Sequence, residues 1–182
     1  MGYSTSWIAV TLPQAEARSR FRVRPTGRRS GFAEFTLSDA VLPNGWYLIV
    51  ANRCDWAMLQ DLHTLSIGGE LVTAYVEEHV MVSGASQWRD GKTVWDVEHN
   101  SELSVDHLAE SGELPERYRT IADELVEKQR TIDDCDYIFD IPLVAAKLVT
   151  EYQHDEDGPW TEGEPFEILE AVRPWWRFWS LS

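Results

Sequence analysis

The sequence predicts an α+β fold in which an antiparallel or mixed β-sheet carries a helical hairpin packed on one face. Two observations lead to this prediction. Residues 1–100 contain short apolar, β-branched and aromatic segments separated by turn signals, which is typical of strands. Residues 101–155 contain apolar residues spaced three and four apart, which is typical of amphipathic helices. Because strands and helices occur in separate blocks, the helices should cover the sheet rather than alternate with its strands.

The 182 residues are expected to form one domain, with 43% hydrophobic residues to build its core. It divides into a sheet-rich part (1–100), a helical part (101–155) and an aromatic C-terminal segment (160–182). The chain shows no secretory signal and no apolar run of the ~18 residues that a membrane span needs. We therefore expect a cytoplasmic protein.

Two segments are predicted to be strands in the first half of the sheet. Residues 6–11 are β-branched and aromatic and are closed by Pro13. Residues 45–52 form a continuous apolar run that follows a Pro-Asn-Gly turn signal, which is typical of a buried strand. A late strand is also expected at 166–172.

Residues 70–99 predict a β-hairpin that turns at Asp90-Gly91, a strong type I′ turn signal. Its strands would be 70–82 and 86–99. With Arg89 opposite Lys92, the register pairs Ser86 with Trp95. Gly84 is interpreted as the site of a bulge, which would change the register before it.

Three helices are predicted. A short one, 56–65, would have Asp55 as its N-cap and end at Gly68-Gly69. Two longer ones, beginning near Pro115 and Pro142 and reaching about residue 152, would form an antiparallel pair over the sheet.

Residues 18–24 alternate strictly between arginine and another residue. In a strand this spacing would put four guanidinium groups on one face, those of Arg18, Arg20, Arg22 and Arg24. Such a row would suit binding of a phosphate or carboxylate group. The alternative interpretation is that these arginines neutralise the protein's own acidic segments.

The charge distribution along the chain motivates that alternative. Residues 1–53 contain seven Arg and three acidic residues, whereas residues 54–182 contain nine basic and 28 acidic residues. The formal net charge of −15 argues against nucleic acid and anionic membranes as partners and favours a basic protein partner.

The nine Trp residues exceed what one small core usually requires, and Trp is enriched at binding hot spots. Four of them are predicted binding residues: Trp160, Trp175, Trp176 and Trp179. Core filling is the alternative interpretation. A further interpretation makes the C-terminal Trp cluster a contact between two copies in a homodimer.

Three residues are weak catalytic candidates: Glu78, His79 and His99. In the predicted register Glu78 lies among valines, where burial would raise its pKa and suit acid or base chemistry. The structural alternative is a solvated strand end, or a carboxylate paired with an arginine. His99 would likewise be a hydrogen-bonded core histidine rather than a ligand.

No cofactor or metal site is predicted. The chain has no dinucleotide- or phosphate-binding glycine motif. The acidic run Asp133–Asp140 lacks the glycine and the terminal glutamate of a calcium-binding loop and is interpreted as solvated loop and helix cap.

The opening Met-Gly-Tyr-Ser-Thr-Ser-Trp, the 45–52 segment, Val76-Glu-Glu-His-Val80 and Trp88-Arg-Asp-Gly-Lys92 resemble a set of uncharacterised bacterial proteins. The resemblance implies a bacterial cytosolic protein and supplies no catalytic residue. Small acidic α+β bacterial proteins are often immunity proteins or antitoxins, which is an analogy of class.

We therefore expect non-catalytic binding of a basic protein through an acidic, Trp-rich surface. Two alternatives stay open. One is a small-ligand-binding protein or enzyme with a pocket of Glu, His and Arg side chains. The other is a structural or assembly role.

Overall fold

The computed structural model describes residues 2–33, 35–132, 135–160 and 163–172. Within these residues there are nine strands and five α-helices. The strands are β1 (Ser4–Val10), β2 (Val23–Ser30), β3 (Leu37–Val41), β4 (Tyr47–Ala51), β5 (Glu70–Glu77), β6 (Val82–Arg89), β7 (Lys92–Asn100), β8 (Ala109–Gly112) and β9 (Phe166–Ala171). The helices are α1 (Gln14–Arg20), α2 (Asp55–Met58), α3 (Leu62–Leu65), α4 (Tyr118–Thr131) and α5 (Ile141–Thr150).

The strands form one sheet in the order β2-β9-β3-β4-β1-β5-β6-β7-β8, and all neighbouring strands are antiparallel. The first strand of the chain lies at its centre, and every residue from Thr5 to Val10 is buried. Because β1 pairs with both β4 and β5, it joins the two halves of the sheet.

Each face of the sheet has its own apolar cluster. Trp7, Val50 and Val72 belong to the cluster on one side, called here the first face, which the longer helices α4 and α5 cover. Ile8 and Leu71 belong to the cluster on the second face, which α1, α2 and α3 cover. The strict alternation of β1 side chains therefore supplies both clusters at once.

Neither face is covered along its whole width. On the first face, α5 packs on β5, β6 and β7. On the second face, α2 packs on β1 and β5, and α1 packs on β2. The helices of the two faces therefore lie over largely different halves of the sheet.

The predicted α+β class, the antiparallel sheet and the helical pair on one face are confirmed. The late strand is confirmed as β9. The turn at Asp90-Gly91 is also confirmed, since both residues have the positive φ angles (48° and 77°) that a type I′ turn requires.

The predicted strand of arginines at 18–24 is wrong. Residues 14–20 form α1, which Pro13 precedes and which buries Ala17 completely. The run Gln-Ala-Glu-Ala favours a helix, and burial of Ala17 outweighs the period-two pattern. The chain then turns at Arg22, whose φ is 53°, so Arg24 belongs to a different element, β2.

The predicted strand 70–82 is also wrong, because the chain turns at residues 78–81 and returns as β6. Met81 adopts a φ of 49° in this turn. Gly84 is not a bulge but lies under the Tyr75 ring, whose atoms would come within 2.5 Å of a Cβ at that position.

The predicted register of the second hairpin is correct only next to its turn. A register shift between Gln87 and Trp88 pairs Ser86 with Asp96 rather than with Trp95. A shift of one residue moves every later side chain to the other face. As a result, Trp95 is buried on the first face, and Asp96 lies on the second.

The remaining differences are local. The predicted helix 56–65 is two short helices, because the Asp61 side chain accepts a hydrogen bond from Thr64 N and begins a new helix. The N-cap of the first is Cys54 rather than Asp55. The edge strand β8 was not predicted, since Ala-Glu-Ser-Gly has low strand propensity.

A buried ionic network joins α1 to the sheet. Asp39 is 1% exposed, and its carboxylate accepts hydrogen bonds from Arg18 Nε (2.7 Å), from a terminal guanidinium nitrogen of Arg18 (3.0 Å) and from the Tyr47 hydroxyl. The same guanidinium donates to Glu167 Oε2 at 2.7 Å. Burial and the bond to Asp39 raise the pKa of Tyr47, which keeps its hydroxyl protonated as a donor.

We predict that Arg18→Met lowers the free energy of unfolding by about 3–5 kcal/mol, because it leaves the buried Asp39 carboxylate without its cation. The matched control is Arg24→Met, since Arg24 pairs with Glu170 at 67% and 51% side-chain exposure. This exposed pair should contribute at most about 1 kcal/mol. Urea unfolding of both variants measures the difference, and equal losses would contradict the prediction.

Candidate functional site

Glu78 and His79 lie in the turn between β5 and β6 rather than within a strand. Glu78 Oε2 accepts a hydrogen bond from Tyr3 N at 2.8 Å. His79 is 65% exposed, and its Nδ1 lies 2.6 Å from Glu77 Oε1. Hydrogen bonds from Ser4 and His79 lower the pKa of Glu77 to about 2. The expectation that Glu78 lies among valines is therefore wrong.

His99 is fully buried, as the core interpretation expects. Its Nδ1 donates to the carbonyl oxygen of His107 at 2.7 Å, and its Nε2 lies 3.0 Å from Asp136 Oδ2. Both ring nitrogens are thus engaged by the protein itself. Glu78 and His79 instead contact Tyr3 and Glu77. The three catalytic candidates therefore do not share hydrogen-bond partners.

Three of the four arginines at 18–24 make ion pairs within the chain. Arg18 pairs with Asp39 and Glu167, Arg20 with Glu16, and Arg24 with Glu170. Arg22 is exposed in the turn after α1. Because two of the three paired arginines reach β9, the basic front segment and the acidic rear of the chain neutralise each other there.

Trp160 is half-buried, and its Nε1 donates to the carbonyl oxygen of Val41 at 2.9 Å. The other Trp residues that the sequence singles out for binding lie outside the described residues: Trp175, Trp176 and Trp179.

A groove on the second face lies beside α2 and α3, over β5, β6 and β7. It encloses about 240 Å³. Apolar side chains form its walls and two acidic side chains of β7 lie in its floor. We call it the acidic groove, and its principal residues are Met58, Leu62, Tyr75, Trp88, Asp96 and Glu98.

The carboxylates of the acidic groove repel each other. Asp96 and Glu98 are two residues apart on β7 and therefore point to the same face. Burial, together with the charge of Glu98, raises the pKa of Asp96. Burial and both carboxylates also raise the pKa of Tyr75, whose ring lies beside them. Within the described residues neither Asp96 nor Glu98 forms an ion pair.

Sequence reasoning missed this pair of acids because the expected register put Trp95 and Val97 in their place. The one available signal was Gly84, whose lack of a side chain gives Tyr75 room to lie across the sheet.

A larger cleft, of about 520 Å³, lies on the first face, over the half of the sheet that α5 does not cover. Its lining is aromatic and includes His154. We call it the aromatic cleft.

A third feature is a group of acids before α5. Burial and the nearby charges of Asp155, Asp136 and Glu78 raise the pKa of Asp140 to about 6. Asp136 accepts a hydrogen bond from Phe139 N at 3.1 Å, so it acts as a local cap. No group of three His, Cys, Asp or Glu side chains suited to a metal ion occurs in the described parts of the chain.

No helix among the described residues is both long enough and apolar enough to cross a membrane. Comparison of the chain with protein-family models, curated proteins and solved structures found no match.

We predict that Asp140→Asn stabilises the protein at neutral pH by about 1–2 kcal/mol, allowing for partial exposure of the side chain. Because folding raises the pKa of Asp140 from 3.8 to about 6, its contribution to stability is complete below the lower value and is lost as pH rises through the upper one. The variant should therefore lose stability less steeply than the native protein between these values. Urea unfolding across that pH range checks this, with the exposed Asp123→Asn as control; identical profiles for native protein and Asp140→Asn would refute it.

Proposed function

We propose that this protein is a non-catalytic binding protein that takes a basic segment of a partner protein in the acidic groove. The observation that carries the proposal is the pair of unneutralised carboxylates, Asp96 and Glu98, beside an exposed apolar wall. Met58 in that wall is 53% exposed. By contrast, most of the arginines at 18–24 are already engaged by acids of the same chain.

A cationic side chain of a partner would relieve the repulsion between these two carboxylates. The resulting gain in binding free energy is electrostatic. It decreases as the salt concentration rises, since partly exposed charges are screened over about 8–10 Å at physiological ionic strength. Trp88 and Met58 would add apolar contacts, whose contribution to binding does not decrease with salt. Trp is also enriched at the centres of interfaces. The groove therefore favours a segment that is both basic and apolar.

The net charge of −15 supports the same type of partner, because long-range attraction speeds association with a basic protein. Neutralisation of a basic toxin by an immunity protein or antitoxin is the role that fits this chemistry best. This role rests on the class of the protein and on its charge.

We predict that Asp96→Asn/Glu98→Gln weakens binding of a basic probe at least about tenfold, because it removes both carboxylates from the groove. The probe is a 12-residue peptide of alternating Lys and Leu, titrated into ¹⁵N-labelled protein at low salt. In the native protein, the shifted amide signals should concentrate on Ser86, Trp88 and β7.

The matched control is Asp123→Asn/Glu124→Gln, which removes the same charge from an exposed part of α4. It should change the affinity by no more than about twofold, since screened distant charges contribute little. Equal weakening in both variants would show attraction to net charge alone and would refute the groove. In lysate of the native host, a partner retained by the native protein and the control but not by the groove variant would agree with the proposal.

A further inference from the structure

The aromatic cleft lies on the opposite face of the sheet from the acidic groove. Its described walls come from the N-terminal end of β1, from residues 31–33, and from residues 152–160 and 163–166, which follow α5 and lead into β9. Its volume of about 520 Å³ is within the range of about 300–1,000 Å³ that small-molecule sites occupy.

A continuous row of rings lines and supports the cleft. Neighbouring ring centroids are 5.0–6.2 Å apart, and most of the pairs meet edge to face. In order, the rings are those of Tyr3, His154, Trp7, Tyr152, Trp160 and Phe166. Ring faces of this kind attract organic cations.

His154 supplies the one imidazole in this row of rings. Its side chain is 4% exposed, and neither ring nitrogen has a hydrogen-bond partner among the described residues. Burial lowers the pKa of His154, although the charges of Asp155 and Glu78 oppose this shift. A neutral imidazole offers one donor and one acceptor.

The nearest charge indicates which nitrogen is the acceptor. Asp155 Oδ1 lies 3.8 Å from His154 Nδ1, which is too far for a hydrogen bond but close enough to favour the proton on Nδ1. Nε2 is then left as an acceptor without a partner among the described residues, on a side chain that lines the cleft. An N–H donor of a ligand would satisfy it.

The other buried side-chain polar atoms without partners in the described chain lie beneath the cleft rather than in its lining. They are Trp7 Nε1 and Ser38 Oγ. Both residues are cross-strand neighbours of Val50, which lines the cleft. Unpartnered buried polar atoms are rare and costly, so their concentration around one floor points to a polar occupant.

The charge of the rim selects a cation. Glu156 and Asp157 line the cleft, and no Lys or Arg is among its described lining residues. Glu156 is partly neutralised by Lys147 Nζ at 2.5 Å, whereas Asp157 is exposed and forms no ion pair within the described chain.

We infer that the aromatic cleft is a second binding site, distinct from the acidic groove, which takes a small organic ammonium ion with an apolar body. The ammonium group donates a hydrogen bond to His154 Nε2 and faces the acidic rim, while the body packs against Trp160 and Phe166. The inference does not depend on the proposed protein partner, because the two sites lie on opposite faces of the sheet.

The test uses three probes of one shape and different charge: benzylamine, benzyl alcohol and sodium benzoate. Each is titrated into the full-length protein, and the imidazole C–H signals of its histidines are followed by NMR at neutral pH. Benzylamine should shift the His154 signal with saturation and bind at least about tenfold more tightly than benzoate.

Two variants assign the contacts. His154→Phe keeps a ring to stack on Trp7 but removes the acceptor, and it should weaken benzylamine binding about tenfold by amide chemical shifts. Asp157→Asn changes only an exposed rim side chain, so folding is not at risk; it should weaken benzylamine about threefold and leave benzyl alcohol unchanged. The exposed Asp123→Asn is the control and should have no effect.

Benzoate binding as tight as benzylamine binding would overturn the inference, and so would a His154 signal that none of the probes shifts. A further arm uses the amide of Nα-acetyl-lysine, which carries an ammonium group on a peptide unit. Tighter binding of this probe than of benzylamine would support an ammonium-binding site and identify a lysine side chain of a protein as the source of the ammonium group. Weaker binding would identify a free amine.

Discussion

The fold depends on the charge pairing at Asp39. A carboxylate buried in the middle of a sheet is costly unless hydrogen bonds and a cation compensate it. Here the cation is Arg18 from α1, and the same guanidinium also reaches Glu167 on β9. One side chain therefore holds together the first helix, the third strand and the last strand. This explains how a basic front segment and an acidic rear segment fold as one sheet.

That anchor also determines which parts of the sheet stay open. Held over β3 and β9, α1 covers one half of the second face, and α2 and α3 continue its layer towards β5. The helical pair lies on the first face over β5, β6 and β7. Each face therefore keeps one uncovered half, and the acidic groove and the aromatic cleft occupy these two halves. An antiparallel sheet tolerates such partial coverage because its strands can alternate between apolar and polar residues.

Periodicity and turn signals predict β1, β4, β9, the turn at Asp90-Gly91, the helical pair and the class of the fold, because burial repeats with the period of each element. They do not predict α1, where alternating arginines imitate a strand, nor the register shift at Gln87, since one extra residue leaves no mark on composition. That shift determines that Asp96 rather than Trp95 lies in the acidic groove. His154 was equally hidden. It precedes three acids that indicate a solvated loop, whereas in the structure it contacts the sequence-distant rings of Tyr3 and Trp7.

The surplus of tryptophan now has a structural explanation that separates the two sites. Among the described residues, three indole N–H groups donate to acceptors of the protein itself, Trp88 to Ser86, Trp95 to Gln87 and Trp160 to Val41. The buried indole N–H of Trp7 has no such acceptor there, and its ring stacks on His154 with a centroid distance of 5.6 Å. Stacking gives these two rings dispersion energy but no hydrogen bonds. A core built for stability alone would have used apolar rings at this place, since apolar groups of the same shape cost nothing to bury. The polar rings of Trp7 and His154 therefore fit a cleft in which a bound ligand, rather than the described chain, supplies hydrogen-bond partners.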